Sequence, residues 1–334
     1  MLATLPENNK LLYDKIKHVG DPRYGIHTVC LIENDFNRDT KSRQYNANVA
    51  LNVNLKLGGQ SHLIGGGGLR MIDTFKTMVV GYHLTQRSSD EESSTPIFVA
   101  VVASAPKTLS QWPTDIRLQR VSETQTVNEL GSTFRTRLEL WKQRNGPIPE
   151  NLPIYRGSVT ELQHQDMLTN EVVQIRSACS NLYCLTQQKP PKITFIAVDK
   201  QHHTRFYTKD DKSNDNPTNG TVVDRIITET RSWDFYLQSH SAIKGPARPA
   251  HYVVLLNEIF TTEQNKDKPT NLANLIETLT HNMCYMYGCA TSAISICAPA
   301  YYANIACERM RRHLAAFPQS MSFNPDKRSF RRHD

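Results

Sequence analysis

Short apolar runs alternate with longer stretches in which apolar residues return every three or four positions, the pattern of an α/β chain. TMVVGYHL at 77–84 and IFVAVVAS at 97–104 read as buried strands, and DIRLQRV at 115–121 as a third, so the first three elements outline a meander. From Glu123 to Arg144, apolar Val127, Leu130, Phe134, Leu138 and Trp141 define one buried face of a helix. LPIYR at 152–156 is then a strand. Ser158 followed by Glu161 predicts a capping box for a helix over Val159 to Leu182, with Leu162, Met167, Val172, Ile175 and Cys179 turned inward. ITFIAV at 193–198, YVVLLN at 252–257 and AISIC at 293–297 predict further strands, with helices over Thr270 to Tyr287 and Tyr301 to Phe317.

Polar, turn-rich stretches at 209–220 and 261–271 read as surface loops. IGGGGLR at 64–70 lacks the GK[ST] of a phosphate-binding loop and reads as a flexible linker after residues 1–62. The basic stretch after Pro318, ending SFRRHD, is weakly patterned; it reads as a disordered tail or, alternatively, a nucleic-acid arm.

Composition narrows the class. The 334 residues are 39% hydrophobic and 21% charged, which suits a globular chain and excludes collagen-like, disordered and disulfide-scaffold readings. No apolar run is long enough for a spanning helix, so no membrane partner is expected and a soluble protein of cytoplasm or nucleus is the expectation. Lys and Arg number 39 against 32 Asp and Glu, and the resulting +7 favours an anionic partner. The seven cysteines carry no CxxC and read as reduced, mostly buried hydrophobes rather than zinc ligands. KQHHTRFY at 200–207 reads as a basic surface loop or, since it follows a strand, a phosphate-contacting one.

Motifs sharpen this. ITFIAVDKQHHTRFY at 193–207, NGTVVD at 219–224, DFYLQSHSAIKGPARPAHYVVL at 234–255 and ISICAPAYYANIACERMRRHL at 294–314 resemble the PIWI domain of eukaryotic Argonautes. LLYDKIKHVGDPRYGIHTVC at 11–30 and LNVNLKLGG at 51–59 are similar to the end of the Argonaute MID domain. The resemblance implies a ribonuclease H-like PIWI fold, a mixed central sheet flanked by helices, over residues 63–317. Residues 1–62 would be the C-terminal part of a MID-like domain and 318–334 the tail. It also implies a protein that holds a small guide RNA by its 5′ phosphate, pairs it with a complementary target RNA and acts in RNA silencing.

Active members cut the target with two Mg²⁺ ions held by carboxylates, the hard oxygen ligands that magnesium prefers. At the matching positions this chain has His83 on the first strand, Gln125 near the first helix, Gly157 after the fourth strand and Asn304 on the last helix. None is a carboxylate, and Glu123, Glu129 or Asp199 could replace at most one. The expectation is a catalytically inactive Argonaute-like protein, not an enzyme, with no bound metal or cofactor.

The binding positions are better kept. The resemblance places Tyr13, Lys17, Lys56 and Arg309 around the guide 5′ phosphate, an aromatic for base stacking plus cations. Val29 stands where the family has glutamine and Asn52 where it has lysine, which weakens the pocket. Along the guide path the matching residues are Lys200, His202, Arg205, Arg248, Ser295 and Tyr301; singly, each could equally be a surface charge or, for Tyr301, a core aromatic. No N-terminal or PAZ domain is legible, so a shortened paralogue or an incomplete chain are both open. Three other readings stay beside RNA binding: a module that takes tryptophan-bearing silencing proteins, a non-functional copy, and a residual endonuclease. A monomer is expected.

Overall fold

The computed structural model describes residues 1–33, 42–65, 69, 72, 74, 76–85, 97–105, 108–119, 130–208, 216–229, 232–242, 245–261 and 271–316. Gln125, Glu123, Glu129, most of the glycine-rich linker and the basic tail lie outside the described residues.

An eight-stranded sheet forms the centre, in the order β5-β4-β3-β6-β7-β10-β9-β8. Its strands are β3 (Val80–Leu84), β4 (Ile97–Ala103), β5 (Thr114–Gln119), β6 (Asn151–Gly157), β7 (Lys192–Asp199), β8 (Thr221–Val223), β9 (Asp234–Gln238) and β10 (Ala250–Asn257). β3, β4 and β5 are the expected antiparallel meander. β3 pairs parallel with β6, and β6 with β7; β10 returns antiparallel to β7. Every residue of β4 is buried, which explains why its apolar run shows no alternation.

Both faces of the sheet are covered. On one, α3 (Leu130–Asn145) and α4 (Val172–Leu185) pack Phe134, Leu138, Trp141 and Ile175 against Tyr82, Ile154 and Phe195. On the other, α5 (Leu272–Met283) and α6 (Ala298–Ala316) cover Tyr155, Ile196, Phe235 and Tyr252. The start of α6 approaches β3 so closely that a side chain at Gly81 would meet the Pro299 carbonyl at 2.2 Å. Only glycine permits that approach.

Three expectations are corrected. AISIC at 293–297 forms bends leading into α6, its backbone tied by Ile294 N–H to the Cys284 carbonyl (2.9 Å), and no strand. The helix after β6 starts later than Ser158: that residue has φ +61°, and the Thr160 N–H donates to Gln163 Oε1 at 3.1 Å. The start of the helical run therefore shifts by two residues and Leu162 falls on the outer side, 93% exposed, while Met167, Val172, Ile175 and Cys179 are buried as expected. The cysteines are free and mostly buried, as expected: Cys179, Cys284, Cys297 and Cys307 are buried, Cys30 and Cys289 intermediate, and Cys184 alone of the seven is exposed.

Residues 1–56 add a small layer. β1 (Leu2–Leu5) pairs parallel with β2 (Val29–Ile32), and α1 (Lys10–His18), capped by Asn9 on the Leu12 N–H at 3.0 Å, packs on α6. A π-helical turn (Val19–Arg23) follows α1, and α2 is Ser42–Lys56. Among the described residues, no helix is long and apolar enough to cross a membrane.

Candidate nucleic-acid interface

Three helices bring the expected phosphate ligands together. Tyr13 and Lys17 are one turn apart on α1, and the Lys17 ammonium sits 5.2 Å from the Tyr13 ring centroid. Lys17 is buried and its Nζ donates to the Thr28 carbonyl at 2.5 Å and to Thr28 Oγ1 at 2.9 Å. From α2, Lys56 Nζ donates to the same Thr28 carbonyl at 2.6 Å. Two ammonium groups thus share one oxygen and lie within about 5 Å of each other, a repulsion of roughly 1–3 kcal/mol. Burial is the first cause that lowers the Lys17 pKa, and Arg309 lowers it further.

Arg309 reaches the same place from α6. Its Nη2 forms an ion pair with the Asp21 carboxylate, and His313 Nε2 stands 3.5 Å from the same Asp21 oxygen. The Nε–H of Arg309 is buried with no hydrogen-bond partner. Arg312 lies over the Tyr13 ring at 5.8 Å. Withdrawal from water raises the Tyr13 pKa, while Arg309 and Arg312 oppose the shift. The two departures also have places: Val29 is buried beside Leu2 in the β1–β2 pair, and Asn52 is half-buried one turn before Lys56 on α2.

The path positions are less uniform. Lys200 follows β7, and burial, reinforced by Arg248 and Arg205, pushes its pKa down to about 8. These three cations are therefore close together, with Arg248 exposed ahead of β10. Arg205 is turned onto its own loop, donating to the carbonyls of Thr204 (2.7 Å) and His202 (3.3 Å). His202 is a loop anchor: its Nε2 is 3.1 Å from the Pro249 carbonyl and its ring packs edge-on against Tyr236 at 5.2 Å. Ser295 precedes α6, beside the Ile294 carbonyl that accepts from Ser239 Oγ at 2.6 Å. Tyr301 is half-buried and edge-on to Tyr287 at 5.0 Å, and both adjoin Cys289, which lies near Lys56.

The positions expected for metal ligands converge under α6. His83 and Gly157 are register partners on β3 and β6. A Cβ at Gly157 would stand 3.0 Å from His83 Nδ1 and 3.9 Å from the Ala300 Cβ. Cys307 Sγ lies 3.3 Å from the His83 carbonyl, and Asn304 comes between Ala300 and Cys307 on the same helix face. Withdrawal from water, then Arg156 and Arg311, push the His83 pKa down to about 3, so the imidazole is neutral at pH 7. A side chain at Gly157 would thus crowd a neutral ring, and His83, Gly157 and Asn304 bring no carboxylate and do not fit a magnesium pair. Asp199 accepts from the Gln201 N–H at 2.8 Å at the end of β7. Among the described residues, no group of three or more His, Cys, Asp or Glu is placed to hold a metal.

Several members of this region carry no motif of their own. Asp21 sits in a turn sequence, VGDPRYG, and Thr28 acts through its backbone oxygen. Behind β3 and β6, buried Arg156 pairs with buried Glu171 at 3.5 Å, and the Tyr82 hydroxyl donates to the same carboxylate oxygen. Glu171 is delivered there by a π-helical turn, Met167–Glu171.

Known proteins share this fold. The family model described as the Piwi domain matches residues 1–315. Protein argonaute 10 of Arabidopsis thaliana is 34% identical over 352 residues, covering 97% of this chain and 33% of the relative. Protein argonaute 1A of Oryza sativa subsp. japonica is 34% identical over 342 residues, covering 94% and 30%. A Kluyveromyces polysporus Argonaute solved with a guide RNA superposes with a TM-score of 0.83 at 27% identity, over 98% of this chain and 36% of that one. The C-terminal lobe of a budding yeast Argonaute gives 0.82 at 26% identity, over 95% and 64%. The chain spans about a third of the length of the curated relatives it matches. With its ribonuclease H-like sheet and an N-terminal layer folded onto α6, the chain belongs to the Piwi-domain family of the eukaryotic Argonautes.

Proposed function

We propose that this chain holds the 5′-phosphorylated end of a small guide RNA and serves RNA silencing by binding, without cutting the target. The observation that carries the reading is the pair of lysines on one carbonyl. Lys17 and Lys56 both donate to the Thr28 oxygen, one of them buried, with the buried, unpaired Nε–H of Arg309 beside them. Packing like charges this way is unfavourable in the free protein and favourable once a dianion arrives. A terminal phosphate suits such a cluster, and Tyr13 offers a ring for the first base. Loss of target cleavage is supported by His83, Gly157 and Asn304, which supply no carboxylate where hydrated Mg²⁺ would need several.

The experiment loads the protein with a 5′-phosphorylated guide and adds a complementary end-labelled RNA with Mg²⁺ or Mn²⁺. The expected result is a retained guide–target complex and an intact target. A single guide-directed product that disappears with EDTA would overturn the non-cutting reading, and failure to retain the guide would overturn the binding one.

A further inference from the structure

The pocket contains an acidic residue that a site for an anion would not be expected to need. Asp21 is 14% exposed at its side chain and is placed between Arg309 and His313, both from α6, while belonging itself to the turn after α1. Resting on the phosphate-binding reading, we infer that Asp21 is a positioning residue: it holds the Arg309 guanidinium so that the unpaired Nε edge faces the guide phosphate.

The argument is one of donors and freedom. A guanidinium has five N–H groups in a rigid fork, and its long stem carries about 2 kcal/mol of rotamer entropy. Asp21 forms an ion pair with Nη2 in which neither Nη2 nor the buried Nε–H makes a regular hydrogen bond. A buried, unpaired charged donor is unfavourable unless a ligand completes it. His313, 3% exposed, stands 3.5 Å from the same carboxylate oxygen and limits its swing. The ion pair also joins the α1 layer to α6, so the Lys17 and Arg309 halves of the pocket keep a fixed spacing. Preorganisation of this kind favours binding by lowering the ordering cost at the moment of association.

The opposing effect is electrostatic: Asp21 partly neutralises Arg309, and removing it would raise the positive potential. Salt and surrounding water screen that longer-range term, whereas the geometry of a direct charged hydrogen bond is not screened away.

The test is fluorescence anisotropy with a short single-stranded RNA bearing a 5′ phosphate or a 5′ hydroxyl. In Asp21→Asn the preference for the phosphate is expected to fall about tenfold, the loss of one charge-assisted contact, with hydroxyl-ended binding unchanged. In an Arg309→Ala background the same change should do nothing further, the signature of a residue acting through another. If Asp21→Asn lowers the melting temperature sharply, Asp21→Glu, which keeps the charge and displaces it by one methylene, should still show a reduced preference in a folded protein. An unchanged or increased phosphate preference in folded Asp21→Asn or Asp21→Glu would overturn the inference. So would an Asp21→Asn effect that persists without Arg309. A wild-type protein with no phosphate preference would instead overturn the underlying reading.

Discussion

The pocket between α1, α2 and α6 and the centre between β3, β6 and α6 lie on one helix and have opposite electrostatic characters. In the pocket, Lys17, Lys56 and Arg309 are crowded around the Thr28 carbonyl and the Asp21 carboxylate. In the centre, His83 is neutral and a side chain on Gly157 would crowd its ring. Crowded positive charge that weakens the free protein is relieved when an anion binds, whereas a neutral, closely packed centre offers a hydrated cation no balancing charge.

That contrast can be broken at either end. The largest effect is expected from Gly157→Asp, which drives a carboxylate into the imidazole and should destabilise by about 3 kcal/mol through overpacking. Chemical denaturation checks it, and His83→Ala in the same chain should return most of the loss. If Gly157→Asp is harmless, the centre is not closed by His83.

Next, Arg309→Ala should weaken 5′-phosphorylated RNA by about 2 kcal/mol, roughly thirtyfold, and leave 5′-hydroxyl RNA nearly unaffected. Competition binding of the two RNAs reads this.

A third effect depends on pH. The folded pKa of His83 lies near 3, below an unfolded value of about 6.5, so the unfolded chain takes up the proton first. Its contribution to stability is complete above pH 6.5 and is lost as pH falls towards 3. Between pH 7 and 5 the wild type should lose about 1–2 kcal/mol more than His83→Gln. Denaturation at the two pH values measures the difference, and equal slopes would mean that His83 is not held neutral.

The smallest effect sharpens the other side. Lys56→Met should leave the free protein as stable as wild type or more stable by about 0.5–1 kcal/mol, because it relieves the repulsion from Lys17. The same variant should bind the 5′ phosphate less well. A clear loss of stability in Lys56→Met would mean that the two lysines are compatible without a ligand.

How much of this was visible in the chain follows from what each residue's role depends on. β4 and α3 were legible because a continuous apolar run and a three-and-four spacing survive in the sequence whatever surrounds them. Leu162 was misread because the helix start turns on the backbone of Ser158, at φ +61°, rather than on the serine side chain. β8, three residues long, has too little alternation to announce itself. In the site, Lys17, Lys56 and Arg309 were found through motifs, and the structure brings all three together. His202, expected on the guide path, also anchors its loop on Pro249, a contact the motif did not announce. The Thr28 carbonyl could not be found from sequence, since every residue but proline offers the same backbone pair. Asp21 was hidden by looking like an ordinary turn residue.

The account rests on the phosphate pocket, and the most direct measurement is the ratio of dissociation constants for one RNA sequence ended by a 5′ hydroxyl or a 5′ phosphate. The ratio is taken by fluorescence anisotropy at moderate salt. The account predicts that the phosphate-ended strand binds at least tenfold more tightly, and that the advantage falls away in Arg309→Ala. Equal affinities in the wild-type protein would contradict it.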